Sequence, residues 1–197
     1  MAGNELLLTI LEQKLARVHP LLLKNLNDGL TIKDIDKISV ALGVTFTTDV
    51  YDMFSWKNGV RMDGSFPLTQ KLIFPTGIPF SLSEAVDRYN LLALSKHFIE
   101  PNYFPLFSNG KDDVLLIDLD QDSDTYSMMS LYSPALLGNN GSPVTIYDSF
   151  SLMLQTILEC YNKNAYWIDQ DNLQVDNDLR YDIACQLNPG SQFWQYM

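Results

Sequence analysis

The stretch YFPLFSNGKDDVLLIDL, residues 103–119, holds two apolar runs separated by a short polar segment. The first run, 103–107, is followed by Asn109-Gly110, a pair typical of tight turns. The second run, 114–119, is almost entirely apolar, which is typical of a strand buried on both faces. The stretch therefore predicts two strands joined by a turn, the second of them central in a sheet.

Further strands and helices are predicted on both sides of this pair from apolar spacing and capping residues. Strands are expected at 125–132 and 144–147, with a short one near 71–74. Helices are expected over 4–18, 20–26, 31–43, from 47 or 48 to 56, from 81 or 83 to 94, after Asp148 or Ser149, and near 179–187. Helices followed by a sheet and a closing helix predict an α+β fold, a mixed, largely antiparallel sheet with flanking helices.

Charge is distributed unevenly along the chain. The formal net charge is −11, from 24 acidic and 13 basic residues. Residues 112–197 contain 13 acidic residues but only two basic ones, Lys163 and Arg180, whereas the preceding part is neutral. Nucleic acid is not expected as a partner, because phosphate contacts need a Lys/Arg surface. The charge either serves solubility or forms a negative face that attracts a basic partner.

Alternate carboxylates follow the predicted central strand, at Asp118, Asp120, Asp122 and Asp124. The spacing resembles the start of a calcium loop, but the turn glycine and the bidentate glutamate that such a loop needs are absent. We therefore expect Asp118 to end the strand and the other three to line an exposed connection, where they repel one another until a cationic partner binds. The residues predicted to bind a partner are Asp112, Asp113, Asp120, Asp122, Asp124 and Tyr126, the last on one face of strand 125–132.

No catalytic, cofactor or metal motif is found in the sequence. The two histidines, His19 and His97, are interpreted as structural, and no nucleophile has a base with an orienting partner. Cys160 and Cys185 are interpreted as buried free thiols, with a disulfide as the alternative. No apolar run approaches the roughly 18 residues of a membrane span, and no signal peptide is recognised, so a cytoplasmic location is expected.

Four segments of the chain, one of them within the stretch quoted first, occur in a characteristic order. They are LNDGLTIKDIDKI through LGV over 26–44, VYDMFSWKNG over 50–59, PLFSNG with VLLID over 105–118, and DSF at 148–150 before an amphipathic helix. Together they resemble the SUKH superfamily (Smi/Knr type), which is named for the yeast cell wall assembly regulator and its bacterial relatives. The chain departs from many relatives at Thr47-Thr48, where they have proline, but threonine also suits a helix start.

The resemblance implies a SUKH-like domain over residues 1–165, with 166–197 as a C-terminal extension packed on it. It also implies an immunity protein that binds and neutralises a toxin, often a nuclease, encoded beside it. The family has no shared catalytic residues, so the resemblance implies a protein that is not an enzyme and uses no cofactor. The alternatives are a regulatory scaffold of the yeast type and an enzyme of unrecognised class. The oligomeric state stays open.

Overall fold

The computed structural model describes residues 3–61, 67–95, 98–136 and 142–195. Seven α-helices occur in this part of the chain, and none is long and apolar enough to cross a membrane. Their bounds are α1 Gly3–Val18, α2 Pro20–Asn25, α3 Ile32–Leu42, α4 Thr48–Trp56, α5 Leu82–Tyr89, α6 Phe150–Asn162 and α7 Asn177–Leu187. A π-helix, Asn90–Ser95, continues α5, and 3₁₀ turns occur at Leu68–Gln70, Pro134–Leu136 and Gln192–Gln195.

Nine strands form three sheets in the same part of the chain, and every pair is antiparallel. The main sheet has five strands in chain order, β3-β4-β5-β6-β7. The two other sheets are the pairs β1-β2 and β8-β9. The bounds are β1 Leu26–Asp28, β2 Lys57–Val60, β3 Ile78–Pro79, β4 Tyr103–Ser108, β5 Val114–Asp118, β6 Met129–Tyr132, β7 Val144–Tyr147, β8 Tyr166–Asp169 and β9 Asn172–Val175.

Strand β5 lies in the middle of the main sheet, and all five of its residues are buried. Since alternate side chains of a strand point to opposite faces, both faces of the sheet are covered there. In the neighbouring strand, the Phe104 ring packs against the rings of Phe46, Phe54 and Tyr89. The α+β fold and the central position of β5, both predicted from the sequence, are confirmed.

Helix starts follow the capping residues that the sequence offers. Thr31 and Ser149 accept hydrogen bonds from the Asp34 and Leu152 N–H groups, and Ser81 forms a reciprocal capping box with Glu84. These bonds satisfy donors that have no partner within the helix. Helix α3 ends at Gly43, whose φ of 68° is the left-handed conformation that glycine adopts at little cost.

The C-terminal residues cover the outer edge of β7. The Ser191 hydroxyl donates to the Thr145 carbonyl at 2.9 Å, and Trp194 Nε1 donates to the Ile146 carbonyl. Trp194 is buried, and the Arg180 guanidinium lies 5.1 Å from its ring centroid. Side-chain donors therefore satisfy carbonyl groups of β7, which pairs on its other side with no strand of the described residues.

Two predicted strands differ from the structure. No strand forms at 71–74, because Ile73 N–H bonds the Gly77 carbonyl and Gly77 N–H bonds the Phe74 carbonyl, which closes a turn. The predicted strand 125–132 begins only at Met129, so the interpretation of Tyr126 as a strand residue was wrong. Ser127, with φ of 59°, interrupts the extended backbone in front of β6.

The hairpin β8-β9 was not predicted. Its turn residues, Gln170 and Asp171, have φ of 48° and 62°, a two-residue turn of the left-handed kind made without glycine. Cys160 and Cys185 are free thiols, the first buried and the second half-buried. His97 lies outside the described residues.

Candidate partner-binding surface

The six residues predicted to bind a partner lie in two groups, one at each end of β5. Asp112 and Asp113 precede its first residue, and Asp120, Asp122, Asp124 and Tyr126 follow its last. A strand of this length spans roughly 13 Å. The structure therefore does not bring the two groups together. All six are exposed except Asp113, which is half-buried.

The first group belongs to the tight turn between β4 and β5. Asn109 Nδ2 donates to Asp113 Oδ2 at 2.8 Å, and Lys111 N–H donates to Asn109 Oδ1 at 2.8 Å. Lys111 and Arg88 line one groove of about 400 Å³ beside this turn. Glu84 and Asp87 line the same groove, so this end of the sheet carries charges of both signs.

The second group belongs to residues 119–128, which we call the acidic loop. The side chain of Asp118, fully buried at the end of β5, anchors it. Asp118 Oδ1 accepts from the Asp120 N–H at 2.9 Å and from Asn102 Nδ2 at 2.7 Å, and its Oδ2 accepts from Thr125 Oγ1 at 2.7 Å. One carboxylate thus fixes both the beginning and the middle of the loop.

The pKa of Asp118 reflects two opposing effects. Burial raises it, because an ionised carboxylate loses hydration. Hydrogen bonds from Asp120, Thr125, Ser123 and Asn102 to the ionised form outweigh burial, so the pKa of Asp118 lies below its usual value. The anchor of the acidic loop is therefore a stable buried anion at neutral pH.

The exposed carboxylates of the acidic loop have no neighbouring cation in the sequence of the loop, which contains no Lys or Arg. Asp120 Oδ1 accepts from the Asp122 N–H at 3.0 Å, and Ser123 N–H bonds the Asp120 carbonyl at 3.0 Å. These bonds set the backbone of the loop while Asp122 and Asp124 stay exposed. No His, Cys, Asp and Glu group of three or more that could hold a metal ion occurs among the described residues.

Two carboxylates from the first half of the chain lie against this loop. Asn4 Nδ2 donates to Asp49 Oδ1 at 2.7 Å and to Asp52 Oδ2 at 3.0 Å, so it bridges two residues of α4. Burial and, to a smaller extent, the neighbouring Asp52 raise the pKa of Asp49 above its usual value, and hydrogen bonds from Asn4 and from Ser127 of the loop oppose that rise. We call the acidic loop together with Asp49 and Asp52 the acidic end.

Sequence analysis missed Asp49 and Asp52, because the first 111 residues are neutral as a whole. The available signal was their spacing of three residues within a predicted helix, which puts both on one helix face. Their position beside the loop depends on contacts between distant parts of the chain, through Asn4 and Ser127.

Two grooves border the acidic end. One, of about 540 Å³, is lined by Asp124, Thr125, Met128 and Val144 together with Gly190. The other, of about 320 Å³, lies between Asp120 and the segments around Val44 and Pro101. Carboxylates on the rim of a groove with apolar walls suit long cationic side chains, whose methylene stems pack on apolar surface while the charged head stays polar.

Comparison with known proteins adds no relative. No model of a known protein family matches the chain, and no curated protein sequence matches it.

Proposed function

We propose that this chain is a non-catalytic, protein-binding domain that docks a basic protein through its acidic end. The observation that carries the proposal is the absence of any Lys or Arg from the segments that form this end and border its two grooves, 43–52, 100–102, 119–128, 142–145 and 188–192. Six carboxylates occupy the same segments at exposed or half-exposed positions: Asp49, Asp52, Glu100, Asp120, Asp122 and Asp124. Complementary charge of this kind speeds encounter with a basic partner and disfavours acidic ones.

The partner that we propose is the toxic domain of a protein encoded beside this chain, which would make the chain an immunity protein. Support comes from the SUKH-like segments over 26–163 and from an acidic surface that a basic toxin, such as a nuclease, would complement. Co-expression tests this directly: cells that produce the neighbouring toxin should survive when the chain is present. If no neighbouring protein is toxic, or if survival is unchanged, the immunity function is rejected in favour of a regulatory scaffold.

The binding surface is tested with a charge-neutral variant, Asp120→Asn, Asp122→Asn and Asp124→Asn combined. Asparagine keeps the side-chain oxygen that Asp120 uses to accept from the Asp122 N–H, so the backbone of the loop should be preserved. At low salt we expect roughly tenfold weaker binding of the basic partner, about 0.5 kcal/mol for each charge removed. The salt dependence of the affinity should also flatten, since fewer charges remain to be screened.

A matched control replaces three exposed aspartates of the C-terminal extension with asparagine: Asp169, Asp178 and Asp182. The net charge changes equally in both variants. Ser151 at the start of α6 bonds Asn4, which bridges Asp49 and Asp52, whereas the three control residues lie on β8 and the first half of α7, toward the other end of α6, which is roughly 18 Å away. Equal losses of affinity in the two variants would reject the acidic end as the binding surface.

A further inference from the structure

His19 occupies an unusual position between α1 and α2. It is fully buried, and its backbone N–H bonds the Leu15 carbonyl at 2.7 Å, which ties the start of α2 to the end of α1. Neither Nδ1 nor Nε2 of the ring has a hydrogen-bond partner among the described residues. A buried polar group without a partner costs free energy, so this imidazole is an uncommon choice for a packed position.

Three segments influence this ring. Besides the joint between α1 and α2, the backbone of Gln70, in the 3₁₀ turn Leu68–Gln70, acts on it. The third segment is the turn of the β8-β9 hairpin, where Asp171 acts on the ring through its charge. Strand β9 also contacts the 3₁₀ turn directly. We call this meeting point the His19 junction.

The surroundings of the ring favour its neutral form on balance. Burial is the largest effect and lowers the pKa of His19, while Asp171 and the Gln70 backbone raise it by less. Lys71, the residue after Gln70, is also buried, and its positive charge adds no support for an imidazolium. On the two helices that carry His19, the nearby cations Arg17 and Lys24 are exposed.

We propose that the His19 junction is an acid-sensitive latch, in which proton uptake by the imidazole releases the β8-β9 hairpin and the 3₁₀ turn from the joint between α1 and α2. A charged imidazole has both ring nitrogens as donors, whereas in the closed junction neither forms a hydrogen bond and the Gln70 backbone can serve at most one of them. Opening brings water to the ring, and the part of the hairpin beyond the buried Tyr166 can move without breaking the main sheet, because its strands pair only with each other.

The direction of the pH effect follows from proton linkage. The ordinary pKa of histidine, 6.5, applies to the opened junction, and the closed junction has a lower value. The stability of the closed form is therefore fully present above 6.5 and is lost as the pH falls from 6.5 through the lower, folded pKa. Opening should therefore be more frequent at pH 5.5 than above pH 7.5, by up to about tenfold.

Hydrogen exchange measured by mass spectrometry tests the latch in the full-length chain. After correction for the pH dependence of chemical exchange, amides of 166–175 should open more often at pH 5.5 than at pH 7.5, by up to about tenfold. Amides of β4 and β5 should keep the same opening frequency at both values. Equal opening of the hairpin at the two pH values, or an equal increase throughout the sheet, would overturn the proposal.

Two further measurements assign the effect to His19. His19→Leu, of similar volume and without a titrating group, should remove the pH dependence of hairpin opening, and its persistence would reject the latch. In case this variant fails to fold, the imidazole is followed by NMR in His97→Gln, which leaves His19 as the single histidine. The resonance of folded His19 should stay that of a neutral ring below pH 6.5, and a simple titration near 6.5 with the hairpin still closed would contradict the proposal.

Discussion

Both ends of β5 carry aspartates, but the two ends are built differently. At the start of the strand, Asp113 is bonded by Asn109 in a short turn, and Arg88 and Lys111 line a groove alongside it. At the end of the strand, the buried carboxylate of Asp118 holds a longer loop whose other aspartates have no cation within it. The comparison teaches that one buried anion can organise a loop so that it presents like charges to solvent.

The largest difference between the two ends is expected from Asp118→Ala. This substitution leaves the Asp120 N–H, Asn102 Nδ2 and Thr125 Oγ1 without their acceptor. We expect a loss of about 3–5 kcal/mol in the free energy of unfolding, measured with urea. The matched change at the other end, Asp113→Ala, removes one partly exposed bond and should cost about 1 kcal/mol. Similar losses at both ends would refute the assigned role of Asp118.

The backbone at the two ends should respond differently to glycine and alanine. Gly110→Ala places a side chain at φ of 79° and a Cβ that collides with the Leu68 side chain, so it should cost about 1–2 kcal/mol. Ser127→Gly relieves a φ of 59° but loses the hydroxyl contact with Asp49, so the free energy of unfolding should change by less than about 0.5 kcal/mol. A large loss from Ser127→Gly would mean that the hydroxyl, not the backbone, shapes the loop.

A fall in pH should change the contributions of Asp118 and Asp49 to stability in opposite ways, since their pKa values shift in opposite directions. The lowered pKa of Asp118 means that its stabilisation is present above 3.8, the unfolded value, and is lost as the pH falls through the folded pKa. The raised pKa of Asp49 gives stability that is present below 3.8 and is lost as the pH rises through its folded pKa.

Unfolding measured from pH 6 to pH 2.5 in Asp118→Asn and Asp49→Asn checks these signs. The first variant should lose less stability than the parent as the pH falls below 3.8, because it lacks the carboxylate whose pKa is lowered in the folded state. The second should gain stability relative to the parent as the pH rises above about 4. The same change in both variants would show that general charge repulsion dominates.

The smallest effect is expected from the exposed aspartates of the acidic loop. Asp122→Asn removes a charge whose carboxylate accepts no hydrogen bond from the described residues, so the free energy of unfolding should rise by only a few tenths of a kcal/mol at low salt. High salt should abolish this gain, because screening removes the repulsion between the aspartates. A loss above about 1 kcal/mol would mean that Asp122 belongs to the anchor of the loop.

Local signals explain what the sequence predicted well. Thr31, Ser81 and Ser149 start helices because their hydroxyls reach a nearby backbone N–H, and Asp118 ends β5 as expected. The same local reasoning made the next strand too long. Thr125 suits a strand, but its hydroxyl bonds the buried Asp118 carboxylate, and this contact outweighs strand propensity.

Contacts between distant residues explain what was missed. Asp49 reaches the acidic loop through Asn4 and Ser127, so no window of sequence around it reveals the shared surface. The hairpin at 166–175 was overlooked because Gln170 and Asp171 form its turn, without the Asn-Gly or Asp-Gly pair that usually marks one. Asp112 and Asp113 are separated from the other predicted residues because β5 runs between the two groups.

The covered edge of β7 has a practical consequence for any shortened form of the protein. A chain ending after residue 165 would lose Ser191 and Trp194, which donate to the Thr145 and Ile146 carbonyls. Those two acceptors would then lie on an open sheet margin, where strands of neighbouring molecules could add on and drive aggregation. We therefore expect the C-terminal extension to limit such strand addition, and the intact chain to aggregate less than the shortened one.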